Sequence, residues 1–109
     1  MKKGKVFYKD FFAGIIQEDE NGYSFSYAKE YLNITSSQAI SFSFPLREET
    51  YISKTMFPFF DGLIPEGWLL DIAESNWKIN PRDRMSLLLA FCKDCIGAVS
   101  VIPFEAGDE

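Results

Sequence analysis

The fold is decided by residues 56–70, which read Met56-Phe57-Pro58-Phe59-Phe60-Asp61-Gly62-Leu63-Ile64-Pro65-Glu66-Gly67-Trp68-Leu69-Leu70. The methionine and the three phenylalanines at its start leave no polar face, so a helical turn here must be buried in a core. Pro58 suits the start of that turn, with Thr55 as the expected cap. Gly62 supplies a permissive backbone at its end, and Pro65 begins a second helix. The stretch therefore predicts a packed corner between two helices.

Three strands are predicted upstream of this corner. Residues 5–8 and 11–17 are rich in β-formers, and Lys9-Asp10 is the expected turn between them. Asn21-Gly22, which follows an acidic run, is the strongest hairpin signal in the chain. Residues 23–27 alternate ring and serine, which predicts a strand with its rings buried on one face and its serines in water.

The segment between these strands and the corner is predicted to contain a fourth strand. Residues 28–38 indicate a loop with a helical turn around residues 30–32. Residues 39–44 again alternate apolar residues with serine, which predicts a strand with Ile40, Phe42 and Phe44 on one side. Pro45 ends this strand because it cannot donate to the ladder. Residues 46–54 are expected to form a polar connection.

Two further helices and a last strand are predicted after the corner. The second helix covers residues 65–77, and the third begins with Asn80 as its N-cap and Pro81 at its first position. Residues 96–102 form the last strand, ended by Pro103, and residues 104–109 form a frayed tail. Close approaches within the sheet are expected at Gly4, Gly14 and Gly97. The buried face of the third helix contains Met85, Leu88, Leu89 and Cys92, and is widened by Leu87 and Phe91.

These elements predict the α+β class. We expect a small, mainly antiparallel sheet of about five strands, with two or three helices inserted before the last strand. The length of 109 residues predicts a single domain covering residues 1–109.

Composition excludes several functional classes. The net charge of −5 leaves no basic stripe that could neutralise nucleic-acid phosphates. No apolar run reaches the roughly 18–20 residues that a membrane span needs, and residues 6–8 are too short for a signal-peptide core. We therefore expect a soluble, cytoplasmic protein. Aromatic residues make up 17 % of the chain, which indicates either an aromatic core or rings that face a partner protein.

The sequence also argues against catalysis and against a bound metal or cofactor. It contains no histidine, so the commonest general base and zinc ligand is missing. The pair Cys92 and Cys95 is interpreted as two ordinary thiols, because Cys92 falls near the end of a helix, where the dipole does not lower a thiol pKa. Asp61 and Glu66 are interpreted as charges at a helix start rather than as an acid–base pair.

Binding is the remaining class of function, and Trp68 is the leading candidate residue. It lies at the edge of the apolar arc of the second helix, so two interpretations stay open: a core tryptophan at the helix margin, or an exposed anchor for a partner protein. Glu66 and Gly67 precede it, and Asp71 and Ser75 lie near it on the helix. These five residues form the predicted partner-binding site.

Two segments carry a resemblance to a known family. Residues 57–67 look like the "FPFFxGLLPEG" motif of the N-terminal subdomain of HipA-type toxin kinases. The later Ile96-Gly97-Ala98-Val99 resembles the closing "GAV" strand of that subdomain. The two segments occur in the chain at the expected spacing.

The resemblance implies a function in a toxin–antitoxin system. Tripartite systems of this family contain a short protein, HipS, which resembles the subdomain and acts as the antitoxin of a serine/threonine kinase, HipT, beside a DNA-binding protein, HipB. The leading expectation is a HipS-like antitoxin that binds and inhibits such a kinase. The alternative is a structural or activating subdomain of a HipA-type kinase, including a fragment of one. An unrelated ligand-binding module is the third possibility.

Overall fold

The computed structural model of the chain describes residues 2–64, 82–92 and 98–104. These residues form five strands and three helices. The strands are β1 (Lys2–Tyr8), β2 (Phe11–Asp19), β3 (Gly22–Tyr27), β4 (Tyr51–Ser53) and β5 (Val99–Pro103). The helices are α1 (Lys29–Leu32), α2 (Pro58–Asp61) and α3 (Arg84–Phe91).

The five strands form one antiparallel sheet in the order β4-β3-β2-β1-β5. The last strand returns to the free side of β1, after the helices α2 and α3. This arrangement confirms the predicted α+β class. The core lies between one face of the sheet and the helices, where Val6, Ile16, Phe25, Phe60 and Leu88 are all fully buried. None of the helices within the described ranges is long and apolar enough to cross a membrane.

The first hairpin has the predicted turn at Lys9-Asp10 and an irregularity that the sequence did not indicate. Lys9 has a φ of 56°. The register between β1 and β2 shifts between Val6 and Phe7, so that Ala13 has no partner on β1. The carbonyl of Ala13 instead accepts a hydrogen bond of 2.7 Å from the amide of Ala28, which ties the start of α1 to the sheet.

The second hairpin forms where Asn21-Gly22 predicted it. Asp19 pairs with Gly22, so the two loop residues are Glu20 and Asn21. Gly22 has a φ of 134°, and a Cβ at this position would lie 2.5 Å from the carbonyl oxygen of Ser53. Glycine is therefore required both by the backbone conformation and by the neighbouring strand. On β3, Phe25 and Tyr27 are buried, which confirms the face predicted from the alternation.

The strand predicted at residues 39–44 is wrong. These residues form a loop with a reverse turn, in which the amide of Phe44 donates to the carbonyl of Ser41 at 3.0 Å. Ile40 and Phe44 point into the core, whereas Phe42 is fully exposed. The side chains at 40, 42 and 44 therefore do not share one side. The physical reason is that a turn of this size reverses the chain between 40 and 44 and turns residue 42 outward.

The true fourth strand is β4, within the segment predicted to be a polar connection. It pairs with β3, with Phe25 opposite Tyr51 and Tyr23 opposite Ser53. Three residues are too few to show a period-two pattern, which explains why the sequence did not reveal this strand. The ring of Tyr51 packs edge-on against Phe44 at a centroid distance of 4.9 Å, so tertiary packing holds the strand in place.

Helix α2 is buried as predicted but is capped differently. Its N-cap is Phe57, without a side-chain cap, so the predicted cap at Thr55 is wrong. Pro58 occupies the first helical position, where no amide hydrogen is needed. Gly62 ends the helix with a φ of −67°, which any residue can adopt. The apolar packing of Phe57 and Phe60, rather than capping, therefore stabilises this turn.

Helix α3 begins later than predicted. Its N-cap is Asp83, whose carboxylate accepts a hydrogen bond from the amide of Ser86, so the prediction of Asn80 as the N-cap is wrong. A carboxylate at this position satisfies an orphan donor and also meets the positive end of the helix dipole. The predicted buried face is confirmed at Met85, Leu87, Leu88 and Cys92, whereas Leu89 and Phe91 are partly buried.

Strand β5 covers residues 99–103, within and just beyond the predicted range. After it, the amide of Phe104 donates to the carbonyl of Lys3 at 3.1 Å. The expected close approach at Gly14 is confirmed, because a Cβ there would lie 2.2 Å from the carbonyl oxygen of Ser26. The predicted second helix at 65–77, the start of the last strand at Ile96, Gly97 and the tail after Phe104 lie outside the described residues.

Candidate functional site

The predicted partner-binding residues Glu66, Gly67, Trp68, Asp71 and Ser75 all lie outside the described residues. The site they form remains a prediction. What the structure does describe is the two points between which this part of the chain runs, at Ile64 and Arg82. The contacts around these points join α2 to α3, and β1 to the N-cap of α3.

The first end is anchored by an ion pair between α2 and α3. The guanidinium Nε of Arg84 donates to Oδ1 of Asp61 at 2.6 Å. Both side chains are partly exposed, so this pair contributes modestly to stability and mainly orients the two helices. The carboxylate of Asp61 therefore meets a cation of the protein itself. No cluster of three metal-ligating residues occurs within residues 2–64, 82–92 and 98–104.

A second contact joins the same two regions deeper in the core. The thiol of Cys92, fully buried at the end of α3, donates to the carbonyl of Leu63 at 3.1 Å. Ile64 is also buried, with 2 % of its surface exposed. Cys92 therefore acts as a small core residue, in agreement with the interpretation as an ordinary thiol. Cys95, its predicted neighbour in the Cys-x-x-Cys pair, lies outside the described residues.

The second end is anchored by the cap of α3. Asp83 accepts hydrogen bonds from the amide of Ser86 at 3.2 Å and from the Ser86 hydroxyl at 2.8 Å. The ammonium of Lys2 approaches the same carboxylate at 3.2 Å and Glu18 at 3.7 Å. Burial alone would raise the pKa of Asp83, but the hydrogen bonds from Ser86 and the charge of Lys2 outweigh it and lower the pKa.

The aromatic residues at 57–60 pack into the core beside β3. Phe60 packs against Phe25 at 5.6 Å and Phe44 at 5.5 Å, measured between ring centroids. Phe57 contacts Phe44 edge-on at 5.2 Å. Phe59 is partly buried at the margin of this cluster. The rings at 57 and 60 are thus core residues, and with Phe25 and Phe59 they form one aromatic cluster around Phe44.

Two tyrosine hydroxyls hold the loop that follows α1, and the sequence did not reveal either. The hydroxyl of Tyr27 donates to the carbonyl of Phe44 and accepts from the amide of Ile40 at 3.0 Å. The hydroxyl of Tyr31 donates to the carbonyl of Gln38 and accepts from the Gln38 amide at 3.3 Å. Burial raises the pKa of Tyr27 to about 12. No signal in the sequence distinguishes such a tyrosine from a core phenylalanine.

Comparison with known proteins identifies the family of this fold. The model of the HipA N-terminal domain family matches residues 4–102. An uncharacterised protein of Haemophilus influenzae is 36 % identical over 101 residues, which cover 93 % of this chain and 92 % of that protein. A solved structure described as the N-terminal domain of HipA toxin superposes with a TM-score of 0.76 at 32 % identity, covering 97 % of this chain and 95 % of that domain. The chain therefore belongs to the HipA N-terminal domain family, as the motifs at residues 57–67 and 96–99 predicted.

Proposed function

We propose that this chain is a non-catalytic, HipS-like antitoxin that binds a HipT- or HipA-like serine/threonine kinase and inhibits it. The observation that carries the proposal is the size of the Haemophilus relative, which the match covers over 92 % of its own length. That relative consists of little more than this one domain. Such a relative resembles one domain of a toxin but is a protein of about that length alone. A protein of this kind is suited to bind the kinase as a separate partner.

The proposed mode of inhibition uses the segment 65–81. The Asp61–Arg84 pair and the Cys92–Leu63 hydrogen bond join the described residues on either side of this segment. Trp68 would enter a cleft of the kinase as the anchor. Glu66, Gly67, Asp71 and Ser75 would surround it, and the two carboxylates would complement a cleft that binds nucleotide phosphates.

The same proposal defines the other partners. The net charge of −5 favours a basic protein surface over direct contact with nucleic acid. A HipB-like DNA-binding protein would join as a third component, bound to the kinase or to both proteins. The complex would act in the cytoplasm, where kinases that halt translation find their targets. No cofactor, metal or membrane contact is needed for this function.

Co-expression with the kinase encoded nearest to this gene tests the proposal. The native chain should rescue growth from kinase arrest, and Trp68→Ala should abolish the rescue. In purified form, Trp68→Ala should weaken kinase binding by roughly 30-fold or more, the effect of a hot-spot residue. The matched control is Phe42→Ala, which removes a fully exposed ring elsewhere and should leave binding unchanged. Unchanged affinity of Trp68→Ala would remove Trp68 from the mechanism.

A second function is favoured by one observation. The solved domain that this chain resembles belongs to a toxin itself, so the domain could complete a kinase rather than silence it. Under this alternative, the chain is a structural or activating part of a HipA-type kinase. The same co-expression experiment separates the two functions, because an activating domain deepens the growth arrest that an antitoxin relieves.

A further inference from the structure

A pocket of about 180 Å³ lies between the β1–β2 turn and the loop that follows α1. One side of it is apolar and consists of Phe11, Tyr31 and Ile34. Phe11 is 53 % exposed although it begins a strand, so its ring is available to contact a ligand. The pocket shares no residue with the contacts between α2 and α3 described above, and an inference from it does not rest on the proposed function.

The polar side of the pocket presents hydrogen-bond donors. Its polar lining includes Lys9, Ser36, Ser37 and Gln38. The side-chain carbonyl of Gln38 already accepts a hydrogen bond of 2.9 Å from the hydroxyl of Tyr8, and the main-chain carbonyl accepts one from Tyr31. Within the described part of the chain, the Gln38 side-chain amide nitrogen and the two serine hydroxyls donate to no other residue. The groups that remain for a ligand are therefore one amide donor, two hydroxyls that can donate or accept, and the lysine ammonium.

Lys9 lies in the turn between β1 and β2 and has an unusual backbone conformation. It is the one residue other than glycine with a positive φ, at 56°, in the described ranges. The left-handed conformation is disfavoured for a residue with a Cβ, whereas glycine adopts it freely. The amide of Lys9 donates to the carbonyl of Ala98 at 2.6 Å, so a tertiary contact holds the backbone of this pocket residue in place. Its ammonium lies 5.7 Å from the centroid of the Tyr8 ring, which also lines the pocket.

We propose that this pocket binds a carboxylate attached to a small apolar group. One lysine balances one negative charge, the serine and glutamine donors bond the two carboxylate oxygens, and the ring of Phe11 covers the apolar part. A doubly charged phosphate would leave one charge without a counter-ion in the pocket. The carboxylate could belong to a free organic acid or to the C-terminal residue of a peptide, and both share this chemistry.

The test is a two-dimensional ¹H–¹⁵N NMR titration of the full chain with phenylacetate. Binding should shift the amides of Lys9, Phe11, Ser36, Ser37 and Gln38 in a saturable way. The neutral phenylacetamide, matched in shape, should bind about tenfold more weakly or worse, because it lacks the charge-assisted hydrogen bonds. The peptide N-acetyl-Gly-Gly-Phe with a free carboxylate identifies the source. Tighter binding than phenylacetate indicates a peptide C-terminus, and equal or weaker binding indicates a free acid.

Variants decide whether Lys9 carries the recognition. Lys9→Gln should weaken phenylacetate binding by about fivefold or more, the loss of one charged contact at a partly exposed site. Lys29→Gln, which removes an exposed lysine of α1 outside the pocket, should bind phenylacetate like the native chain. The proposal is overturned by an absence of saturable shifts, by equal affinity for phenylacetamide, or by unchanged binding in Lys9→Gln.

Discussion

Two segments of this chain carry the same alternation of apolar residues with serine, yet they fold differently. Residues 23–27 form strand β3, whereas residues 40–44 form a turn. β3 lies between β2 and β4, and both neighbours are hydrogen-bonded to it. In the turn, the amide of Ile40 donates to a tyrosine hydroxyl and the amide of Phe44 donates to Ser41. An alternation of apolar and polar residues therefore forms a strand only where neighbouring strands supply the backbone hydrogen-bond partners.

The two segments are also joined to each other. Tyr27, the last residue of β3, receives a hydrogen bond from Ile40 and gives one to Phe44, so a single hydroxyl bridges both ends of the turn. The ring of Phe44 packs on Phe25 of β3 at a centroid distance of 5.1 Å. Contacts with β3 therefore stabilise the conformation of the turn. Four predictions test this relation: three concern substitutions, in order of decreasing effect on stability, and one concerns pH.

The largest effect is expected for Phe44→Ala. Phe44 is buried and contacts Phe25, Phe57 and Phe60, so its loss should lower the free energy of unfolding by about 3–5 kcal/mol. Phe42→Ala is the matched control within the same turn, and its exposed ring should contribute less than about 0.5 kcal/mol. Urea denaturation measures both. If both variants lost the same unfolding free energy, the result would favour a strand with Phe42 and Phe44 on one buried side and would contradict the turn.

Tyr27→Phe should cause the next largest effect. It keeps the ring but leaves the amide of Ile40 and the carbonyl of Phe44 without their partner, which should cost about 2–3 kcal/mol of unfolding free energy. Tyr51→Phe is the control, because its hydroxyl bonds the carbonyl of Pro45 at an exposed position where water can replace it. If both variants lose the same amount, the Tyr27 hydroxyl does not hold the turn.

Two serine substitutions should have smaller effects of opposite sign. Ser24→Val on β3 places a β-branched residue in a strand and should be neutral or stabilising, by up to about 1 kcal/mol. Ser41→Val removes the hydroxyl that accepts a hydrogen bond of 3.1 Å from the amide of Ser43 and should destabilise the chain by about 0.5–1 kcal/mol. The difference between the two urea midpoints is the measurement. A stabilising Ser41→Val would show that the second segment prefers a strand.

The fourth prediction is a pH dependence that Tyr27 should cause. Burial raises its pKa from 10.0 to about 12, so the folded state keeps the phenol neutral where the unfolded chain ionises it. The contribution of Tyr27 to stability is complete below pH 10 and is lost as the pH rises towards about 12. Unfolding free energies at these two pH values should therefore differ less in Tyr27→Phe than in the native chain. If the unfolding free energies of the two proteins fell equally with pH, Tyr27 would not be the source of the pH dependence.

Less of the candidate site than of the fold could be predicted from the sequence or described from the structure. The sequence indicated Trp68 from residue type and helical angle, and these do not distinguish an exposed anchor from a core ring. The structure describes how Asp61, Arg84 and Cys92 hold the flanking helices, which no spacing in the sequence predicted. Such contacts join residues far apart in the chain, and their geometry depends on the packing of both helices. The kinase-binding experiments remain the test of Trp68 itself.

The three-stranded meander, the buried turn at residues 57–60 and the apolar face of α3 could all be predicted from local sequence patterns. In each of these, neighbouring residues supply the signal: a turn after alternation, an aromatic run or a helical period. Tertiary contacts were needed to show that residues 40–44 turn back, that residues 51–53 become the fourth strand, and that Asp83 rather than Asn80 caps α3. The first two depend on which distant groups satisfy backbone hydrogen bonds and fill the core around Phe44, and Asp83 is paired with the distant Lys2 of β1. A local pattern cannot encode such partners, because they are brought together only when the chain folds.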